Sequence, residues 1–412
     1  MKSIIKKNCR LCNSNRIIKL FNLCDSPLAN NLALTKKESL NLKYFPLNLM
    51  FCINCKHIQL QNVIKAEFLY SKYLYMTGVS KQFKNHFKEY SHNIIKEFQI
   101  KNKLKILEIG SNDCTLLDYF KKKNHTTIGV EPAKNLWALT NHKHQIYNSF
   151  YNEKINQKIK KKYKSVDLII ANNVFAHIDN LKNTFQSLKK ILNNEGLITF
   201  EVSYLLDVIK FKLFDTIYHE HLDYHSIIPL DKFFKKIDFK IINIEKIKTH
   251  GGSIRVTLAK KISKRTSNLK KINKLILKEK QNKLDQKSTF LKFFNNIEKE
   301  KNRLKLFFRN IQNENIYGYG APAKAVTLVN YFGLGKTNFK FIIDDSNLKQ
   351  NKYLPGTEIK IVNSKILYSN KEDKVIFILA WNVYEDIMKK IKNYNNIKYA
   401  IVPLPKLKIF KL

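Results

Sequence analysis

Three groups of residues in this chain have the types and spacing that do chemistry. The densest is Tyr218-His-Glu-His-Leu-Asp-Tyr-His225, where three of the eleven histidines fall within seven residues, interleaved with Glu220 and Asp223. A phenol, a carboxyl and several imidazoles so close together put a base, an acid and a hydrogen-bond donor in one small region. In an extended segment His219 and His221 point one way, Tyr218 and Glu220 the other; in a helix Tyr218 and His221 share a face. The H-x-H spacing also suits a metal, and a surface loop with incidental histidines needs no chemistry at all. The second group is Cys9-Arg-Leu-Cys12 and Cys52-Ile-Asn-Cys55. Within each C-x-x-C knuckle both sulfurs reach one ion, and four thiolates complete a tetrahedral Zn²⁺ with no open position, which is a structural site. Paired spacing of this kind, with no secretory signal visible ahead of it, argues for metal rather than disulfides. Cys24 has no nearby partner.

The third group is a loop. In Lys105-Ile-Leu-Glu-Ile-Gly-Ser-Asn-Asp-Cys-Thr-Leu-Leu-Asp118 an apolar run carrying Glu108 breaks at Gly110, and Ser111-Asn112-Asp113 can cap a helix beginning near Thr115. Thr127-Ile-Gly-Val-Glu131 then reads as a second strand ending in an acid, followed by Pro132. A glycine lets a ligand approach the backbone, and a carboxylate after the next strand can hold both ribose hydroxyls. A dinucleotide site would favour G-x-G-x-x-G; here one glycine is followed by an acid that would repel phosphate. S-adenosylmethionine (SAM), with a sulfonium, an amino acid end and an adenosine, suits such a loop. A plain strand and capped helix would look the same on the loop alone. Past the next strand, Val166–Ile170, Asn172 and His177 stand where α/β sheets bind ligands.

These groups must be positioned by an α/β framework. Strands and helices alternate from residue 101 to about 205, which implies a parallel sheet, and the pattern restarts after residue 311. There Asn315-Ile-Tyr-Gly-Tyr-Gly-Ala-Pro-Ala-Lys324 places Gly318 and Gly320 in a G-x-G-x-x-A loop whose amides could cradle a phosphate, with Lys324 as charge partner. Gly252 and Ser253 lie in His250-Gly-Gly-Ser, which permits close approach to a substrate or makes a hairpin turn. Tyr75 belongs to an aromatic stretch, Tyr70 to Ser80, that either lids the ligand or packs a helix on the sheet. Residues 262–310 read as a Lys-rich helical stretch with Leu269, Ile272 and Ile276 on its packed face. The reading divides the chain into residues 1–65, a zinc-binding module; 66–260, a SAM-binding unit with its preceding helices; and 261–412, a helical connector and a second Rossmann-like unit.

Composition limits the alternatives. At 412 residues the chain is long enough for two or three domains. Its formal net charge of +42 would ordinarily point to nucleic acid, but the lysines are spread along the whole chain rather than gathered on one face. We therefore expect no nucleic-acid partner, although the charge would attract an anionic small substrate. No apolar run is long enough to span a bilayer, so a cytoplasmic protein without a membrane partner is expected.

Taken in order, the four-cysteine module, the E-I-G-S-N-D loop, Y-H-E-H, H-G-G-S and the final G-Y-G-A-x-x-K resemble the three-domain SAM-dependent sugar C-methyltransferases. The resemblance covers nearly the whole chain. It implies a middle domain that binds SAM and a nucleotide-linked deoxysugar held between that domain and the C-terminal one. It implies that His221 is the general base and that Tyr218 and Glu220 face the substrate. His177 matches a further active-site histidine, and Glu131 the ribose-binding acid. Tyr218 or a neighbouring histidine donates a hydrogen bond to the developing enolate oxygen, which brings His219 into the catalytic set. One departure is Cys114, where that family usually has glycine. The expectation is a C-methyltransferase for a nucleotide-linked 4-keto-deoxysugar, acting as a monomer. The alternatives are an O- or N-methyltransferase on a sugar or other small molecule, or a zinc-containing nucleic-acid methyltransferase.

Overall fold

The computed structural model describes residues 3–71, 73–98, 102–311, 314–368 and 372–412. Its centre is a seven-stranded sheet. Five strands are parallel, in the order Gln145–Tyr147, Thr126–Val130, Lys105–Ile109, Val166–Asn172 and Leu192–Ser203. Ser253–Lys260 then runs antiparallel beside Leu192–Ser203, and Phe239–Ile247 closes that edge. The central strands are apolar on both faces because helices cover both. On one face Ile106, Leu168 and Ile170 pack against Phe87, Tyr90, Leu117 and Phe120. On the other, Leu107, Ile109 and Ile169 share a core with Ile155, Ile159, Phe185 and Leu188. The helices begin where the sequence offers caps: Ser80, Asn152 and Asn180 each accept a backbone N–H of the following turn.

The N-terminal module is an antiparallel sheet of Ile17–Ser26, Phe45–Cys52 and Ile58–Leu60, and its fourth strand is Asp223–Tyr224. Asp223 pairs with Gln59 and Tyr224 with Ile58. The segment that follows the Y-H-E-H residues is therefore part of the zinc module's own sheet.

The third sheet has five parallel strands, in the order Ile361–Val362, Ile342–Ile343, Asn315–Tyr319, Lys374–Ile378 and Ile397–Val402, with Lys408–Lys411 antiparallel at the end. The Lys-rich stretch before it is two helices, Leu269–Gln281 and Lys287–Asn310. Ile272 is buried and Ile276 packs beside it, but Leu269, in the first turn, is exposed. The first helix also holds a buried acid: Glu279 accepts the N–H groups of Ile227 (2.7 Å) and Ile228 (3.0 Å) and so caps the helix Ile227–Lys236. The second helix stacks Phe294 on Phe21 of the N-terminal sheet, ring centroids 4.5 Å apart. Among the described residues no helix is long and apolar enough to cross a membrane.

Candidate active site and zinc centre

The cofactor crevice forms at the C-terminal ends of Lys105–Ile109 and its neighbours. Gly110 has φ +68°, and a side chain there would strike Val174, so the turn needs glycine. Glu131 is held rigidly: its two carboxylate oxygens accept the N–H groups of Asn112 (2.8 Å) and Ala133 (2.9 Å). Pro132 carries the chain into the following helix, and Asn148 donates to its carbonyl at 3.2 Å. Glu108, Ser111 and Asn172 each keep one buried polar atom with no partner among the described residues. Burial, with the carboxylates of Asp113 and Glu131 close by, holds the Glu108 carboxyl well above its ordinary range. Crowded acids with an unsatisfied oxygen at adjacent strand ends suit a cationic ligand, and SAM carries both a sulfonium and an ammonium.

The side chains of Asn112 and Asp113 do other work. The Asn112 side-chain oxygen accepts the Thr77 N–H at 3.0 Å, and its amide donates to the Tyr75 carbonyl, also at 3.0 Å. Asp113 accepts the N–H groups of Gly78 (2.6 Å) and Thr115 (3.2 Å). These two side chains fasten the aromatic segment over the loop. Tyr75, placed by sequence with the substrate residues, lies 38 % exposed on this cofactor side, its ring edge-on to Phe83. Cys114 takes the glycine-like φ of +62° and is wholly buried in the core beside Leu116 and Leu117. Its thiol lies beside Ser111 of the same loop and Glu108 of the strand before it.

The second cluster is built by a turn. His221 N donates to the Tyr218 carbonyl (2.9 Å), which brings the two side chains to one side, as a helix would. His221 Nδ1–H donates to the Thr216 carbonyl at 2.8 Å, so Nε2 carries the lone pair and accepts the Tyr218 hydroxyl at 2.8 Å. His177 stacks on His221 (centroids 5.2 Å apart) and Tyr70 stacks on His177 (5.6 Å). Burial pushes His221 down to about 4, and His177 falls well below the usual range for the same reason. Both imidazoles are therefore neutral at pH 7. Glu220 accepts the Asn30 amide at 2.6 Å and the Tyr73 hydroxyl at 3.5 Å; burial pushes its carboxyl up to about 7.

His219 is not in this cluster. Only 1 % exposed, it donates through Nε2 to the Phe45 carbonyl (3.2 Å), locking the turn onto the N-terminal sheet. The Gly252 and Ser253 expectations are also corrected. These residues close the hairpin turn; a side chain at Gly252 would meet Asp207, and the Ser253 hydroxyl, fully buried, donates to the Thr249 carbonyl. In the C-terminal loop the phosphate cradle is already filled: Asp344 accepts the Ala321 N–H (2.7 Å) and the Ile343 carbonyl takes the Gly320 N–H (2.7 Å). Gly318 makes room for Ile342 and Leu379, and Gly320 for Ala380. The Lys324 ammonium lies 4.2 Å from the centre of the Trp381 ring, on the side of Asp215.

Reading the sequence missed Asn30, Tyr70, Tyr73, Asp215, His250 and Trp381. Tyr70 and Tyr73 lie three residues apart in the aromatic stretch Tyr70 to Ser80, and that crowding of tyrosines is the available signal. His250 ranges along Asn173 (3.4 Å) and is pushed down to about 3 by burial. Asn30 and Trp381 lie far from the cluster in sequence and carried no signal.

At the zinc centre the four sulfurs of Cys9, Cys12, Cys52 and Cys55 all lie within 4.8 Å of one another. Cys9–Cys55 and Cys12–Cys52 are each 3.5 Å apart. A tetrahedron of Zn–S bonds of about 2.3 Å has sulfur–sulfur edges of about 3.8 Å, so the set fits that ion without rearrangement. Cys24 stands outside it.

Three families match in succession. A putative zinc-binding domain matches residues 9–70, a methyltransferase domain residues 83–244, and a C-methyltransferase C-terminal domain residues 248–405. The C-methyltransferase NovU of Streptomyces niveus is 25 % identical over 411 residues, 98 % of this chain and 97 % of that one. Among solved structures, a SAM-dependent methyltransferase from Clostridium acetobutylicum ATCC 824 is 14 % identical, covering 42 % of this chain and 91 % of that one at a TM-score of 0.34. The PH0226 protein from Pyrococcus horikoshii OT3 is 10 % identical, covering 48 % and 99 % at 0.36. Scores of that size add nothing to the fold described above. With the loop, the four-sulfur cluster and the second parallel sheet in place along its whole length, this chain belongs to the SAM-dependent C-methyltransferases that join a zinc-binding domain, a methyltransferase domain and a C-methyltransferase C-terminal domain.

Proposed function

We propose that the enzyme methylates a carbon next to the ketone of a nucleotide-linked 4-keto-deoxysugar, through an enolate formed with His221 as base. One observation carries this reading. The Thr216 carbonyl fixes the His221 tautomer, so that a neutral imidazole presents its lone pair toward a tyrosine hydroxyl on a partly exposed face. Carbon is a poor nucleophile until its proton is removed, and a base held in one tautomer beside a hydroxyl donor is what that step requires. As the ketone oxygen arrives, the Tyr218 hydroxyl transfers its hydrogen bond to it, and Nε2 is freed to take the neighbouring C–H proton. His177 and Tyr70, stacked behind, hold the ring of His221 in place. Glu220, its carboxyl pushed up to about 7 by burial, carries less charge opposing the enolate than an ordinary carboxylate and none once protonated. SAM supplies an electrophilic methyl on its sulfonium. Glu131 orients its ribose, while Glu108 and the backbone of Gly110 to Asp113 line the crevice; Asn172 and Ser111 offer their unpartnered groups to it. The positive balance of the chain favours an anionic nucleotide.

The test is incubation with methyl-labelled SAM and a panel of nucleotide 4-keto-deoxysugars, with the methyl located by NMR. A new C–CH₃ bond beside the ketone is expected; label on oxygen or nitrogen overturns the reading. Two further results are expected. Glu131→Ala should weaken SAM binding by about 2–3 kcal/mol, roughly 30- to 150-fold, as hydrogen bonds to a charged group are lost; calorimetry measures it. The kcat/KM profile should show two features. His221 is active when unprotonated, and burial lowers its pKa, so the acid limb lies near 4 rather than 6.5. Glu220 is raised instead, so as pH climbs through about 7 it ionises beside the developing enolate and kcat/KM falls. Glu220→Gln should flatten the upper feature and leave the lower one. A fall through about pH 7 that persists in that variant assigns it to another group.

A further inference from the structure

Lys324 is the second residue of the helix Ala323–Phe332, and its surroundings are unusual for a lysine. It is 9 % exposed, and its ammonium has no hydrogen-bond partner among the described residues. It rests against the Trp381 ring at 4.2 Å. The Trp381 indole N–H donates to Asp215 at 2.6 Å, and the second oxygen of Asp215, fully buried, is also unpartnered. A side chain at Gly251 would collide with the indole, so the missing Cβ is what lets Trp381 lie there. Asp215 sits in the single turn Phe214–Thr216, whose last carbonyl holds His221 Nδ1. One turn along the helix from Lys324, Thr327 donates to the Ile217 carbonyl at 3.3 Å. A buried cation from the C-terminal domain is thus pinned, through Asp215, Trp381 and Thr327, to the segment that carries the base.

An ammonium taken out of water with no acceptor is costly, and such groups are kept where a ligand completes them. A phosphate is a poor candidate. It needs several donors, the neighbouring loop amides are closed by Asp344 and the Ile343 carbonyl, and the Asp215 carboxylate would repel a lasting dianion. A charge that exists only during the reaction fits better. Lys324 also lowers the basicity of His221 and His250, which harms proton abstraction unless the same cation stabilises what abstraction produces.

We propose that Lys324 is a second donor to the enolate oxygen, beside the Tyr218 hydroxyl, with Asp215 and Trp381 as its positioning residues. This rests on the ketone-carbon reading above. The proton passes from carbon to His221 Nε2 and the C–H pair moves onto the ketone oxygen, which accepts a hydrogen bond from Lys324. The pair then returns to carbon to form the C–CH₃ bond as the methyl–sulfur bond breaks, sulfur keeping its electrons, and the ketone is restored.

The full-length, zinc-loaded protein tests this. With a nucleotide 4-keto-deoxysugar and S-adenosylhomocysteine in D₂O, NMR follows deuterium exchange at the sugar carbon, while kcat and KM are measured with SAM. Lys324→Met should slow exchange and kcat together by about 10²–10³-fold, the scale of a lost oxyanion donor, with KM within about threefold. Lys324→Arg should recover part of the exchange. Asp215→Asn supplies a readout that packing alone would not move. Asp215 raises the pKa of Lys324, so in a Glu220→Gln background, where the fall near pH 7 is gone, removing the Asp215 charge should shift the remaining alkaline limb of exchange to lower pH, with His221 and His250 the other ionisable groups that feel Lys324. Exchange within threefold of wild type in Lys324→Met, or a loss confined to KM, overturns the assignment while leaving the C-methylation reading intact. If the wild type itself neither exchanges nor C-methylates a keto-sugar, both fall.

Discussion

Alanine at position 221 should abolish deuterium exchange at the sugar carbon and methyl transfer together, with kcat falling about 10²–10⁴-fold, the usual contribution of a positioned base. SAM affinity should hold, because the Glu131 crevice and the His221 turn belong to different loops and share no hydrogen bond in the contacts described. The neighbouring histidine provides the contrast. His219 has its Nε2 on the Phe45 carbonyl and its ring edge-on to Phe45, so His219→Ala should lower the melting temperature and spare the ratio of exchange to methyl transfer. Tyr218→Phe falls between the two: the ring that packs on the imidazole at 4.1 Å stays, but the hydroxyl that guards Nε2 and meets the ketone is lost. Turnover near the wild-type rate in His221→Ala would sink the base assignment, whatever the product.

The parts of this site that were legible in sequence are those whose geometry is local. A strand, a glycine that must take positive φ and an acid at the end of the next strand are neighbours along the chain and remain neighbours in the sheet. The two C-x-x-C knuckles carry their own geometry, so their meeting needed only one antiparallel sheet. Direction at a turn is another matter. His219 and His221 are two residues apart, yet the His221 N–H to Tyr218 carbonyl bond rotates one into the cluster and the other into the domain interface. The same holds for the tyrosines. Tyr75 was the residue singled out, but Tyr70 and Tyr73 reach Glu220, because the chain crosses from the substrate side to the cofactor loop between them. The G-x-G-x-x-A loop read as a phosphate cradle because the pattern records where glycine is tolerated and not what fills the space; Asp344, more than twenty residues on, fills it. Asn30 and Trp381 act across separations of 190 and 166 residues, which no local pattern encodes.

Removing the zinc should disable catalysis without emptying the cofactor crevice. The reason lies in how the segment 219–224 is held. Arg10, between the two cysteines of the first knuckle, donates to the carbonyls of Leu60 (2.7 Å) and Leu222 (3.3 Å). His57, two residues past the second knuckle, pairs with Asp223 at 2.7 Å, both side chains wholly buried. Leu60 N donates to the Leu222 carbonyl at 2.8 Å, Asn30 holds Glu220, and Phe45 holds His219. His219, Glu220, Leu222, Asp223 and Tyr224, on either side of His221, each contact the module that the four thiolates close, whereas the Gly110 loop and Glu131 draw their contacts from the central sheet and the 75–78 segment. Structural zinc contributes on the order of 10–16 kcal/mol to the folding of small four-ligand sites, so a knuckle without its ion does not keep its shape. A displacement of about 1 Å in a reacting group costs roughly 10²-fold. Chelation, or Cys52→Ser with zinc content measured alongside, should therefore lower kcat/KM at least about 10²-fold, collapse exchange at the sugar carbon and reduce the melting temperature. SAM binding by calorimetry should stay within about threefold. Full turnover in metal-free protein would show that the base is positioned from elsewhere, and loss of SAM binding in parallel would show that the module supports the whole fold rather than this one segment.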